Sequence, residues 1–272
     1  MSSLTLVDAH VHLYGGFDFA RAFGAGIRNL QALAPSFPSP ADLCLCLTED
    51  RDHDVFSSLP EFEDQNWTVR RHPDGKTMRV ENGQSQAGLW VFAGKQLVTA
   101  ERIEVLALLA DPNKLSDLRD GKPLDETVRQ VEATGALVVL PWAFGKWMFG
   151  RGQLIRQFVH STTVPFFLGD NGGRWDGLKG LRPSSLAAEV GRPVLPGSDP
   201  LPLAAHEDSI GRYGFALPMA IDAKTPCDSL RTAIATLEQS PAPVGRTASL
   251  GEFVTAQWKL RTERLPLLDA AR

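Results

Sequence analysis

The feature that most constrains this 272-residue chain is a rhythm of short apolar runs, each ending in polar residues and followed by a stretch with helical spacing. The runs are LTLVDAHVHL (4–13), DLCLCLT (42–48), IEVLALLA (103–110), ALVVLP (136–141), VPFFLGD (164–170), RPVLPGSD (192–199) and RYGFALP (212–218). Alternation of this kind reads as βα units around a parallel sheet. Runs without a polar face, such as LCLCL, read as strands covered on both sides. Helices are expected over 19–33, halted by Pro35, over PLDETVRQVEATG up to Gly135, and over 154–161. About seven parallel strands in one domain spanning 1–272 predict a distorted (β/α)7 TIM-like barrel, closed or nearly so.

Residues 66–100 interrupt the rhythm. NWTVRRHPDGKTMRV carries a hairpin signal at Asp74-Gly75, and LWVFAGKQLVTA suggests a second hairpin around Gly94-Lys95. The stretch reads as an antiparallel insertion. Residues 225–272 read as two C-terminal helices, introduced by Thr225-Pro226-Cys227-Asp228 and by Ser249-Leu250-Gly251-Glu252, both with the spacing of a capping box.

Composition narrows the class. Apolar residues make up 43% and charged residues 22%, which excludes large-scale disorder. A net charge of -4 argues against a dedicated nucleic-acid binder, so no nucleic-acid partner is expected. No run approaches a membrane span, and MSSLTLVDAHVHL has no basic region ahead of an apolar stretch. Three cysteines, Cys44, Cys46 and Cys227, form no disulfide framework. Together these predict a cytoplasmic protein.

Groups that do chemistry on such folds sit where strands end. Asp8-Ala9-His10-Val11-His12 ends the first strand; residues two apart share a face, so His10 and His12 project together and suit a divalent metal. Asp8 is a further ligand or a supporting partner. Asp199, after VLPGS, is positioned to complete the metal shell or take a proton, although an N-cap role weighs equally at this stage. Asp170, in FFLGDNGGRW, is a further ligand candidate, with Asn171 and Arg174 beside it to meet substrate. Glu101, in VTAERIEV, is a candidate bridging carboxylate, against a solvated charge beside Arg102. In VLPWAFGKWMFGRG, Trp142 walls a pocket while Lys146 and Arg151 meet an anion; an aromatic core plug with exposed cations explains the same residues. Asp50 is the acid nearest the second strand end. His53, His72, His160 and His206 are read as bystanders. No nucleotide-binding glycine loop and no Gly-x-Ser-x-Gly elbow is present.

The succession DAHVHL, LCLTED, TAERIEVLAL, PLDETVRQVEATGALVVLPWAFG and GSD resembles the PHP (polymerase and histidinol phosphatase) superfamily over most of residues 4–200. The resemblance implies a distorted seven-stranded barrel that hydrolyses phosphoesters with divalent metals. It places His10 and His12 at the His-x-His motif, Glu101 at the bridging glutamate and Asp199 at the late aspartate. The chain departs from the pattern at Thr48-Glu49-Asp50, where the family reads Thr-Asp-His. Trp142 and Leu201 also replace expected histidines, and Glu104 stands where a histidine precedes a Val-Leu pair. The residue set therefore implies one or two ions of zinc, manganese or iron rather than three.

The expected function is a metal-dependent phosphoesterase acting on a small anionic substrate, with metal held by His10, His12, Glu101, Asp170 and Asp199. Asp199, Lys146 and Arg174 are the catalytic candidates, and Trp142, Arg151 and Asn171 the substrate-binding ones. Two alternatives are an amidohydrolase-type enzyme and a degenerate barrel that only binds a ligand.

Overall fold

A computed structural model describes residues 3–33, 41–85, 87–142, 147, 149–177 and 183–262. In chain order the strands and main helices are β1 (Leu4–Val11), α1 (Phe19–Leu33), β2 (Ala41–Leu47), α2 (Val55–Ser58), β3 (Phe62–Glu63), β4 (Trp67–Arg71), β5 (Thr77–Asn82), β6 (Gly88–Phe92), β7 (Gly94–Val98) and β8 (Glu104–Leu108). They continue as α3 (Pro112–Ser116), α4 (Leu124–Ala133), β9 (Leu137–Pro141), α5 (Phe149–Ser161), β10 (Phe167–Asn171), α6 (Pro183–Val190), β11 (Val194–Gly197), β12 (Tyr213–Leu217), α7 (Pro226–Ala235), β13 (Pro243–Gly245) and α8 (Leu250–Thr262). Each apolar run became a strand because its alternate residues meet two different cores. Pro35 and Lys146 lie outside the described residues.

The strands form two sheets rather than a closed seven-stranded barrel. One has the order β13-β12-β1-β2-β6-β5-β4-β3, the other β11-β10-β9-β8-β7. Parallel pairing is confined to β1, β2 and β6 in the first and to β9, β10 and β11 in the second. β12 runs antiparallel to β1, and β8 antiparallel to β9. The expected count of seven parallel strands fails because an apolar run records burial, not direction. β8 follows β7 through a short turn, so its direction is reversed.

Of the two expected hairpins, the first is present: β4 and β5 pair antiparallel around Gly75, which adopts φ +69°. The second is not. β6 pairs with β2, whereas β7 pairs with β8. Between them the chain passes from one sheet to the other at Gly94, whose backbone lies so close to the carbonyls of Leu47 and Ala107 that any Cβ would collide with both. Glycine makes this corner possible.

Side chains from both sheets fill the space between them: Val7, Ala9, Cys44, Cys46, Phe92, Leu106, Val139, Phe167 and Leu195 form one buried cluster, joined by Cys227, Leu230 and Ile234 of α7. The cysteines are free and buried, and serve as small apolar residues. A second cluster lies where Phe23, Ile27 and Leu30 of α1, Val128 and Val131 of α4, and Ile155 of α5 pack on the outer strand faces. The Ser249–Glu252 capping box forms: Glu252 accepts from the Ser249 N–H at 2.7 Å, and Ser249 Oγ accepts from the Glu252 N–H at 3.3 Å. At α7, Pro226 occupies the first turn, but Thr225 makes no capping bond; its hydroxyl donates to Asp222. No described helix is long and apolar enough to cross a membrane.

Two seams bring the sheets together without closing them. At one, Glu49 and Lys95 form an isolated parallel bridge, with the Gln96 N–H donating to the Glu49 carbonyl. At the other, the end of β11 packs on β1: Gly197 would strike His10 if it carried a Cβ, and the Asp199 N–H donates to the His10 carbonyl at 2.8 Å.

Candidate metal centre

The second seam builds the site. β1 carries an irregularity between Asp8 and Val11 in its register with β2, with one more residue on β1 than on its partner. Such an insertion re-aims the strand's last side chains. His10 and His12 still share a face, and their Nε2 atoms lie 3.1 Å apart. Asp199 approaches from the other sheet, its Oδ1 3.4 Å from His10 Nε2 and 3.6 Å from His12 Nε2. Asp199 takes φ +48°, a left-handed conformation that aspartate tolerates better than most residues. Among the described residues, these three form the one group able to offer converging metal-ligand atoms.

The spacing fits a cation. Ligands about 2.1 Å from a shared ion are about 3.0 Å apart at right angles and about 3.4 Å apart at the tetrahedral angle. The three observed separations run from 3.1 to 3.6 Å. The protonation state also suits binding. Burial, reinforced by His10, pushes His12 down to about 4, with Asp199, Glu104 and Asp50 pulling the other way. The ring is therefore neutral near pH 7, with a lone pair to give.

Asp8 is not one of the converging ligands. It is fully buried and accepts from the backbone N–H groups of His10 (3.2 Å), Ser198 (2.8 Å) and Gly211 (2.9 Å). Burial pushes it up to about 6, against those three bonds. It stitches the chain segments that carry the ligands.

A cavity of about 290 Å³ opens onto the cluster, lined by His12, Tyr14, Gln96, Glu104, Trp142, Asn171, Arg174, Asp199 and, from α8, Phe253, Gln257 and Leu260. The Tyr14 ring stacks on His12 at 5.6 Å. Asn171 Nδ2 donates to Asp199 Oδ2 at 2.8 Å, leaving Oδ1 to face the histidines. Asn171 Oδ1 is buried without a partner.

The other candidates fall elsewhere. Glu101 does not reach the cluster: its carboxylate accepts from the Leu124 N–H at 3.1 Å, at the start of α4. Glu104, three residues on, lines the cavity instead. Asp170 is clamped by Arg174, with Nε and Nη2 donating at 2.5 and 2.7 Å, and by the Tyr213 hydroxyl at 2.7 Å. Its carboxylate faces these donors and lies outside the converging group of His10, His12 and Asp199. Arg174 lines the cavity, but Asp170 and Asp176 hold its guanidinium, which removes it as a freely offered anion contact. Arg151 lies on α5 and is not part of the cavity lining. Asp50 accepts from His53 Nδ1 at 2.7 Å, and His206 accepts from the Leu201 N–H at 3.2 Å. Glu104 and Tyr14 were accessible to sequence reasoning, one as the first residue of a strand, the other two residues beyond His12. Nothing in the sequence marks α8 as a wall of this cavity.

No family model and no curated protein matches the sequence. Among solved structures, PsfC from Pseudomonas syringae superposes with a TM-score of 0.61 at 16% identity, over 96% of this chain and 99% of that one. The lesion-specific endonuclease Q of Pyrococcus furiosus gives 0.52 at 12% identity, over 98% of this chain and 70% of that one. An endonuclease Q bound to a 27-mer duplex with an abasic lesion gives 0.50 at 12% identity, over 94% and 67%. At 12–16% identity these likenesses are of fold. They also correct one expectation. Endonuclease Q holds duplex DNA at its active site on this fold, so a net charge of -4 gives no ground for excluding nucleic acid. Net charge averages over a whole surface, whereas binding depends on local charge.

Proposed function

We propose that this chain is a metal-dependent hydrolase of phosphoester bonds. The observation that carries the reading is the convergence of His10, His12 and Asp199, from two different sheets, at the mutual spacing of ligands to one cation. When bound there, a divalent ion would act as a Lewis acid and lower the pKa of a water towards neutrality. The protein's own part is positional. Asn171 holds Asp199 by one oxygen, Asp8 fixes the backbone of His10 and Ser198, and Tyr14 backs the His12 ring. Glu104 brings a further carboxylate to the cavity, and Trp142 with Phe253 and Leu260 of α8 limits the space for water.

The fold shared with endonuclease Q brings phosphodiesters, nucleic acid included, into the substrate range alongside small phosphomonoesters. A second reading, a protein that binds metal and ligand without turnover, is favoured by Trp142 and Leu201 standing where the superfamily motifs carry histidines.

The test is elemental analysis of freshly purified protein combined with assays on p-nitrophenyl phosphate, bis(p-nitrophenyl) phosphate and an abasic-site duplex. About one divalent ion per chain, and hydrolysis of at least one substrate that His10→Ala abolishes, is the expected result. Bound metal with no hydrolysis would support the second reading. Absence of metal after exposure to zinc, manganese and iron would end both.

A further inference from the structure

Lys95 and Gln96 are neighbours on β7 and face opposite sides of the strand. Gln96 lines the metal-centre cavity; Lys95 lines a larger one, of about 490 Å³, between the turn after β2, strand β7 and helix α3. That volume lies within the range of small-molecule sites. Its floor is apolar, with Phe56, Leu115 and Leu118 buried.

Two cationic heads meet over this floor. Lys95 Nζ donates to the carbonyls of Leu115 and Leu118, both at 3.1 Å. Arg119 Nη1 donates to the same Leu118 carbonyl at 3.0 Å, and to that of Ser116. An ammonium has three protons and a guanidinium five, so both heads keep donors to spare. Among the described residues, no carboxylate forms an ion pair with either. Four acids also line the cavity, and each has an oxygen committed within the protein; Glu49 accepts from the Val55 and Phe56 N–H groups. Asp50 accepts from Asp52 N–H and His53, Asp54 from Ser57 N–H, and Asp120 from Val98 N–H. Burial, then the charge of Arg119, lowers the pKa of Lys95, with Asp120, Asp54 and Asp117 pulling the other way.

We propose that this cavity is a second ligand site, taking the oxyanion of a small organic molecule, phosphate or carboxylate, on Lys95 and Arg119 while its apolar body rests on Phe56, Leu115 and Leu118. It is separate from the metal centre and does not depend on the reading given to it. The charged contacts make binding weaken as salt is raised.

Titration calorimetry of the full chain in low salt, with phenyl phosphate and with benzoate, tests the site; the tighter of the two identifies the preferred oxyanion. One saturable site is expected, with inorganic phosphate or acetate binding more weakly for want of the ring. Arg119→Gln, at an exposed position, and Lys95→Met should each weaken binding tenfold or more, and Lys95→Arg should retain most of it. His10→Ala should leave the affinity unchanged. Absence of saturable binding, or binding that Arg119→Gln leaves intact, would overturn the proposal. So would loss of binding in His10→Ala, which would put the anion on the metal centre instead.

Discussion

Asp170 and Asp199 belong to neighbouring parallel strands, one at the end of β10 and the other two residues beyond β11, yet the structure uses them in opposite ways. Asp170 is gripped by a forked guanidinium and a tyrosine hydroxyl, all buried. Asp199 faces two imidazoles and is steadied by an asparagine. A strand-end carboxylate is therefore not a metal ligand by position alone. What decides is whether its charge is already balanced by a fixed cation or shared with neutral donors that an ion can satisfy.

The comparison can be broken at either residue. Asp170→Asn leaves the buried Arg174 with the exposed Asp176 as its remaining carboxylate partner, which should cost about 3 kcal/mol of stability. Chemical denaturation measures that loss, and the metal stoichiometry should survive it. Lost metal with unchanged stability would reverse the two roles. Asp199→Asn should do the opposite, weakening metal binding by at least about 100-fold, beyond what loss of a supporting partner costs. Its unfolding midpoint should stay near that of the parent measured without metal.

A third test concerns the seam away from the metal. Burial pushes Glu49 up from 4.5 to about 8, where it accepts from the Val55 and Phe56 N–H groups. An acid raised in the folded state binds its proton there while the unfolded chain has released it. Its contribution is thus complete below pH 4.5 and is lost as pH rises towards 8, with a slope of at most about 1.4 kcal/mol per pH unit. Denaturation across that window should show the decline, and Glu49→Gln should flatten it. The smallest effect belongs to Ser249→Ala. Loss of the α8 capping bond should cost about 1 kcal/mol, seen as a small drop in thermal midpoint, with metal binding unchanged.

The same contrast shows what the sequence could reveal. His10 and His12 were legible because a two-residue period survives whatever packs around the strand. Asp199 was legible as a candidate third ligand from its strand end and from the resemblance, although nothing local says that β11 comes to rest on β1. Glu101 and Glu104 look alike in sequence, three residues apart; only the place where β8 begins sends one to the start of α4 and the other to the cavity. Strands were readable from burial, and α1 agrees with its expected limits, 19–33. Strand direction was not, because β8 and β12 owe theirs to the path of the preceding chain. The corner at Gly94 looked like a hairpin because the reason for the glycine, two carbonyls from other strands, lies far away in sequence.

Asp8 has a consequence for how an ion would arrive. By accepting from the amides of His10, Ser198 and Gly211, it fastens both halves of the ligand set before any ion is present. Loading then resembles filling a socket more than closing a clasp. Uptake should be a single fast step, with no refolding phase, and a chain stripped by a chelator should recharge as readily as it first charged.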